Sequence, residues 1–321
     1  LKHFGYYWVP FKVKIIDKKA VVTGFYNDSL STLNHIKLGD AILLVNNRTI
    51  SEIIADWSRY FCASNIPTKL YNLSYYLLNG NSDTMQVTIE RNGKLYSTVL
   101  NRYHYKDLHL KTTSFGYFAN DTNALMRIMN NHIGYVNMGK LTKDKVHKVM
   151  KQMMTMNAII FDLRNYPHRT AFKIAKYLNE NRKACVVCST PLKGNPGIFQ
   201  YEKPQYAGSK NSIYYKGKVV ILANELTISH AEYSCMILQT AKNVTVIGSQ
   251  TAGADGTISL FTFPGGYQTA FTGIGIFYPD GRKTQRIGIV PDIRVAQTID
   301  GIRKGKDEIL DRAIEFIKDG K

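Results

Sequence analysis

At 321 residues the chain is long enough for two domains. Its 44% hydrophobic and 21% charged residues are ordinary for a folded protein and exclude wholesale disorder or collagen-like and low-complexity architecture. Lys and Arg number 42 against 24 Asp and Glu, a net charge of +18, which favours anionic partners in general. The charge is spread out: residues 1–110 hold 13 basic and 8 acidic groups, and residues 111–321 hold 29 and 16. No block of five basic residues, zinc-finger spacing or basic helix stripe occurs, so the expectation is a solvated basic surface and no nucleic-acid partner. No apolar run approaches the roughly 18 residues of a membrane helix, so no membrane span is expected. Four cysteines are too few for a disulfide scaffold.

The first ~105 residues read as strands separated by turn signals. Lys12–Ile16 alternates, Asp17-Lys18-Lys19 turns and Ala20–Thr23 returns. Ala41–Val45 is a strand and Asn46-Asn47-Arg48 a tight turn. Ser51 is placed to cap a helix whose apolar positions are Ile53, Ile54, Trp57, Tyr60 and Phe61. Met85–Glu90 and Lys94–Leu100 flank the hairpin signal Asn92-Gly93. The polar stretch Asn101–Ser114 is the expected boundary.

Beyond it the rhythm changes to strands alternating with helices. Ile133–Val136 is a strand, and Thr142 is expected to cap a helix carrying Val146, Val149, Met150 and Met153 on one face. Ala158–Leu163 is an apolar strand interrupted by Asp162; a helix over Ala171–Asn179 and a strand over Ala184–Cys188 follow. Lys218–Ala223 is another buried strand, then a helix over Ser229–Thr240 and the strand Val244–Ile247. Asp307–Lys318 is an amphipathic helix with its charges matched to the dipole. Apolar strands alternating with helices predict a largely parallel sheet covered on both faces. Cys185 and Cys188 lie three apart in a strand, facing opposite sides, and read as buried structural thiols rather than a redox or metal pair.

Three segments could carry chemistry. The strand Val219–Ala223 runs into the turn Asn224–Ile228, and Ser229 opens the next helix. Ligands of parallel sheets sit at the carboxyl ends of strands. A serine at a helix start lies beside unsatisfied backbone N–H groups that would stabilise an oxyanion, although serine is also an ordinary N-cap. Asp162-Leu163-Arg164-Asn165-Tyr166-Pro167 ends another buried strand, where Arg164 could simply pair with Asp162. Thr251–Thr257 is Gly-rich but lacks the Gly-Lys-Ser/Thr ending of a phosphate loop, so it suits close approach of a peptide or a plain turn.

Together these residues resemble the C-terminal processing peptidases, the tail-specific and tricorn-like serine proteases. His35–Asn46 resembles a "GLKxGDxIxxVNG" stretch of PDZ domains, and Ile159–Asn165 a "DLRxN" strand. Asn224–Glu232 resembles the nucleophile segment, in which serine precedes glutamate by three. Gly248–Gly256 and Gly288–Asp292 resemble the "GExTxG" loop and the "GIxPD" motif. The resemblance implies an α/β fold: a β-rich PDZ-like peptide-binding domain over 1–110, then a ClpP/crotonase-type serine peptidase core over 111–321.

Carried over position by position, it implies Ser229 as nucleophile and the backbone N–H of His230 as one oxyanion donor. A second donor comes from Tyr166–His168; Pro167 has no N–H, so a neighbour, His168 above all, must serve. Trp8, Val9, Pro10 and Phe11 occupy the place of the PDZ carboxylate loop, without its usual glycines. Gly253 and Gly256 belong to the supporting loop. The tail-specific branch has a lysine in that loop, where this chain has Ala254 and Asp255. The tricorn-like branch uses a histidine ahead of the PDZ-like module and a glutamate at the place of Gln285. The start at Leu1 is read as that of a mature or trimmed product, and the general base is expected in a histidine upstream of it; His168 is the internal candidate. His230, one residue from Ser229, is read as a surface or supporting residue.

The leading reading is therefore a serine endopeptidase acting on extended or C-terminal polypeptide segments, with no cofactor and no metal. The alternative is an inactive peptide- or apolar-ligand-binding protein on the same fold, and the third is an acyl-CoA enzyme of crotonase type. The resemblance implies a periplasmic or otherwise exported protein, with or without a lipid anchor. It leaves oligomeric state open.

Overall fold

The computed structural model describes residues 3–108 and 124–320. His109 and positions 109–114 of the expected boundary lie outside them. Two compact units result. One holds the N-terminal part with Gln297–Glu308; the other runs to Ala296 and resumes at Ile309. The sequence reading kept all of 111–321 in the second domain. Gln297–Glu308 departs from that because Ile299 and Ile302 pack with Val21 and Ala41 of the first unit.

The first unit contains β1 (Tyr7–Trp8), β2 (Phe11–Ile16), β3 (Lys19–Phe25), α1 (Asp28–Leu33), β4 (Ala41–Val45), β5 (Arg48–Thr49), α2 (Ile50–Trp57), α3 (Ile66–Ser74), β6 (Thr84–Arg91), β7 (Lys94–Asn101) and β8 (Tyr103–His104). Its main sheet has the order β2-β3-β4-β6-β7, with β5 on β4, and β1 pairs with β8. The turns are two-residue reversals in which both residues have positive φ: Asp17-Lys18, Asn46-Asn47 and Asn92-Gly93. That conformation matches the right-handed strand twist, and Asn and Gly adopt it most readily. Helix α2 starts at Ile50 rather than after Ser51. Thr49 is its cap: its Oγ1 accepts from Glu52 N–H at 3.2 Å, and Glu52 accepts from Thr49 N–H at 2.7 Å.

Trp8, Val9, Pro10 and Phe11, the segment expected to bind peptide, lead into and open β2. All four are buried, Val9 and Phe11 within the unit's main core. The Pro10 carbonyl is occupied by Tyr26 N–H, Asn27 N–H and Ser31 Oγ.

The second unit contains β9 (Met126–Met129), β10 (Ile133–Asn137), α4 (Val146–Met153), β11 (Ala158–Asp162), α5 (Ala171–Leu178), β12 (Lys183–Pro191), β13 (Phe199–Tyr201), β14 (Gln205–Ala207), β15 (Lys218–Ala223), α6 (His230–Leu238), β16 (Val244–Gly248), β17 (Ile258–Thr262), β18 (Gln268–Thr272), β19 (Gly275–Phe277) and β20 (Ile293–Arg294). Helices α7 (Ile299–Arg303) and α8 (Glu308–Asp319) complete the chain order. The central sheet runs β20-β16-β15-β11-β10-β9, parallel except for edge strand β9. Residues alternate between two cores. Ile159, Phe161, Val219 and Ile221 pack with α4, α5 and α6, while Ile160, Val220 and Leu222 pack with Ile309 and Ala313 of α8. Burial on both faces explains the unbroken apolar strands.

Three local expectations change. Helix α4 opens at Val146 behind Lys145, and the Thr142 carbonyl accepts from Lys145 N–H in the preceding turn. Strand β12 lies outside the parallel sheet, pairing antiparallel with β13, β14 and β19. A register shift between Ala184 and Val186 also changes how its cysteines sit. The Cys185 thiol donates to Gln205 O at 3.3 Å, and Gln205 Nε2 donates to Cys188 Sγ at 3.7 Å. Both thiols are buried and free; burial pushes the Cys185 thiol up to about 11, so it stays protonated and unreactive at neutral pH. Among the described residues no helix is long and apolar enough to cross a membrane.

Candidate active site

Strands β11, β15 and β16 lie side by side in parallel register, with Asp162 opposite Leu222 and Ala223 opposite Gly248. Their carboxyl ends therefore deliver three loops to one edge of the sheet. The central loop, Asn224–Ile228, is built by its own polar side chains. Leu226 N–H donates to Asn224 Oδ1 at 2.9 Å, and Asn224 N–H to Thr227 Oγ1 at 3.1 Å. Thr227 is fully buried and ties in both neighbours. Its hydroxyl donates to Leu163 O at 2.8 Å, and its carbonyl accepts from Ala252 N–H at 3.0 Å.

Ser229 follows at φ 54° and ψ −120°. An ordinary N-cap is extended, whereas L-residues rarely take positive φ, at a cost of roughly 1–3 kcal/mol. The conformation turns the chain sharply between β15 and α6 and leaves Ser229 partly exposed, as are Ile228 and His230 on either side of it. His230 is the first residue of α6, so its N–H has no acceptor within the helix. Among the described residues no histidine, lysine or carboxylate hydrogen-bonds to Ser229 Oγ.

Glu232 holds this turn. Its carboxylate is fully buried and accepts from Ser229 N–H at 3.2 Å, Gly253 N–H at 2.7 Å, Ala254 N–H at 2.9 Å and the Thr251 hydroxyl. Burial raises its pKa, and those four hydrogen bonds oppose the rise. Thr251 Oγ1 also accepts from Ile289 N–H at 2.7 Å. A Cβ on Gly288 would lie 2.5 Å from that oxygen. Nearby, Asp292 Oδ2 accepts from Val246 N–H at 2.8 Å. The turn, the Gly-rich loop and the Gly288–Asp292 segment are thus one hydrogen-bonded assembly.

Asp255 is buried, with Oδ1 accepting from Gly256 N–H at 2.8 Å and Oδ2 without a partner. Burial above all, reinforced by the Glu232 charge, pushes its carboxyl up to about 8, so it is neutral at pH 7. Gln285 lies beside it and donates through Nε2 to Asp255 O and Ile274 O, both at 2.8 Å. Gly253 has φ 64° and Gly256 φ 113°; a Cβ on Gly256 would meet Thr272 Cγ2 at 2.5 Å.

The loop after β11 is held at its root and open at its tip. Asp162 accepts from Tyr135 Oη at 2.8 Å and from Arg164 N–H, Nε and Nη2 at 2.7–3.0 Å, the pairing expected of Arg164. Asn165 Nδ2 donates to Asn137 Oδ1 at 3.0 Å. Pro167 is buried, while Tyr166, His168 and Arg169 are exposed. No hydrogen bond or ring contact joins His168 to another described residue. His230 is in ring contact with Tyr166 of this loop, 6.4 Å between centroids, and with Tyr233 of its own helix, 5.9 Å away. Its Nε2 is buried without a partner, and burial, aided by the Arg169 charge, lowers its pKa. Sequence reasoning missed the tie made by Thr227, the four donors on Glu232 and the buried acid at Asp255. Thr227 and Glu232 lay in the quoted motif, but their partners are remote in sequence. Among the described residues no group of three His, Cys, Asp or Glu side chains is placed to hold a metal.

Comparison with known proteins agrees with this architecture. The mature form of CPAF superposes with a TM-score of 0.72 over 98% of this chain and 84% of that one, at 14% identity. CPAF complexed with lactacystin gives 0.71 over the same shares. A putative peptidase from Parabacteroides merdae gives 0.54 at 19% identity, over 85% of this chain and 90% of that one. At these identities the likeness is one of fold. A protein of Chlamydia trachomatis serovar D is 27% identical over 157 residues, 45% of this chain, and that match spans a quarter of the relative's length. Residues 132–295, about half the chain and all three strand-end loops, match peptidase family S41. The chain belongs to peptidase family S41, a family of serine peptidases.

Proposed function

We propose that this chain is a serine endopeptidase whose nucleophile is Ser229. The observation that carries the reading is the strained turn at Ser229, φ 54°, clamped by Glu232 at the carboxyl edge of a parallel sheet. Strain of this kind persists only where the surroundings over-determine it, and it clusters at functional sites. The Ser229 hydroxyl attacks the scissile carbonyl carbon while a histidine takes its proton. The oxyanion is held by His230 N–H and by a backbone N–H of Tyr166 or His168, each donor worth about 2.7–4 kcal/mol. The histidine then protonates the departing amine, and water hydrolyses the acyl-enzyme. The N-terminal unit serves as a PDZ-like holder of the extended substrate, and the protein acts outside the cytoplasm.

A fluorophosphonate probe tests the reading: it should label the parent protein at Ser229 and leave Ser229→Ala unlabelled. Folded parent protein that is not labelled would sink it. Single replacement of His3, His35, His104, His109, His132, His147, His168 and His230 by Ala then tests for an internal base, which would be the variant that folds but is not labelled; labelling of all eight would assign the proton to a group other than these histidines. One observation favours a second reading, a binding protein on the same fold: no base among the described residues reaches Ser229 Oγ. An unlabelled parent that still binds peptide would support it.

A further inference from the structure

Strands β17 and β18 form a two-stranded sheet that pairs with no other described strand. Every residue of both strands is exposed. Partners directly opposite share a face, and the register sets Ser259 against Phe271 and Phe261 against Thr269. Phe261 makes edge contacts with Phe263 and Phe271 at 4.9 and 5.8 Å, so one face is an aromatic patch. The other carries Ile258 and Leu260, with Leu260 69% exposed. An isolated ribbon of this kind, apolar on both faces, is marginally stable in water, and exposed apolar patches of this kind mark interaction surfaces.

Two further observations indicate what it meets. From Gly256 to Pro279 the chain has no charged side chain, its longest such run, in a protein of net charge +18. A surface that excludes charge selects neither an acidic peptide nor a phosphate backbone. The ribbon is also rooted in the site. Thr257 directly follows Gly256, and Gly273 N–H donates to Thr257 O at 3.1 Å. Gln285 Nε2 bridges Asp255 O on one side of the root and Ile274 O on the other. The loop from which it springs is bound to Glu232, which also holds Ser229 N–H. Glu232 thus joins the root of the ribbon to the turn that carries Ser229.

We infer that the β17–β18 ribbon is the substrate-selecting element of the enzyme. It takes an extended, uncharged, apolar stretch of polypeptide as an added strand on a free edge and seats that stretch's alternate side chains against Phe261, Phe263 and Phe271. Main-chain pairing supplies affinity and the aromatic face supplies preference. The inference rests on Ser229 being the nucleophile.

The test uses full-length Ser229→Ala protein and two fluorescein-labelled unstructured peptides, one alternating Val and Phe with Ser, the other with Glu in place of Val and Phe. Fluorescence anisotropy should show tighter binding of the apolar peptide. The double change Phe261→Ser and Phe271→Ser, at exposed positions, should raise its Kd about tenfold with the thermal midpoint unchanged. Equal affinity for both peptides, or a Kd indifferent to the double change, overturns the inference. So does a double variant whose only change is from dimer to monomer in sedimentation, which would assign the ribbon to a second copy of the chain. Fluorophosphonate labelling of the double variant in the Ser229 background keeps the two readings apart: failure to label either form removes the nucleophile and leaves the binding result standing.

Discussion

The loops after β15 and after β11 leave neighbouring parallel strands at the same sheet edge, yet they are held in opposite ways. The β15 loop is fixed along its length: Thr227 ties it to both flanking loops, and a buried carboxylate holds its last residue at positive φ. The β11 loop is hydrogen-bonded near its root, through Asp162 with Arg164 and Asn165 with Asn137, and then exposes Tyr166, which touches the His230 ring, His168 and Arg169. A group that must be aimed needs the first arrangement. A border that must let a polypeptide in and out is better served by the second.

Substitutions in the fixed loop should therefore have large effects, and those at the open tip small ones. Ser229→Ala should reduce hydrolysis of an ester reporter by at least about 10³-fold while the protein stays folded. Ser229→Gly should abolish the same activity yet raise unfolding free energy in urea by about 1 kcal/mol, since glycine takes positive φ without strain. No stabilisation would show that the turn carries no strain.

Asp255 sharpens the comparison through pH. Burial pushes its folded carboxyl up to about 8, against the ordinary 3.8 of an aspartate, so the native state keeps a proton that the unfolded state releases. Stability should then fall as pH rises from about 4 to about 8 and level off above it. Asp255→Asn should flatten that slope and stabilise the protein at pH 9 by roughly 3–5 kcal/mol. Next in size, Glu232→Gln sets an amide group against the donors of Gly253 and Ala254. It should cost about 2–3 kcal/mol and slow probe labelling, whereas a surface role would leave both unchanged. The smallest effect is predicted at the tip: His168→Ala should shift stability by less than about 0.5 kcal/mol. A larger shift would show that the tip is anchored after all.

How far sequence reasoning reached follows the range of the interactions. The turns Asn46-Asn47 and Asn92-Gly93 were legible because positive φ is a property of the residues themselves. Strands β11 and β15 were legible because burial on both faces leaves an unbroken apolar run. Strand β12 looks the same along the chain, and nothing local tells which sheet it joins. At Trp8–Phe11 the motif placed the segment, while the burial of all four residues depends on packing partners that the motif does not name. At the candidate site, the quoted motifs set Ser229 between a buried strand and a helix, where the structure has β15 and α6. The donors on Glu232 were not, because three of them come from about twenty residues further along the chain.

Thr227 gives the site edge a dynamic signature. With its hydroxyl on Leu163 O and its carbonyl on Ala252 N–H, neither flanking segment can fray alone. In deuterium exchange, the amides of Ala252, Gly253 and Ala254 should open as a single cooperative group, released only when the first turn of α6 comes apart.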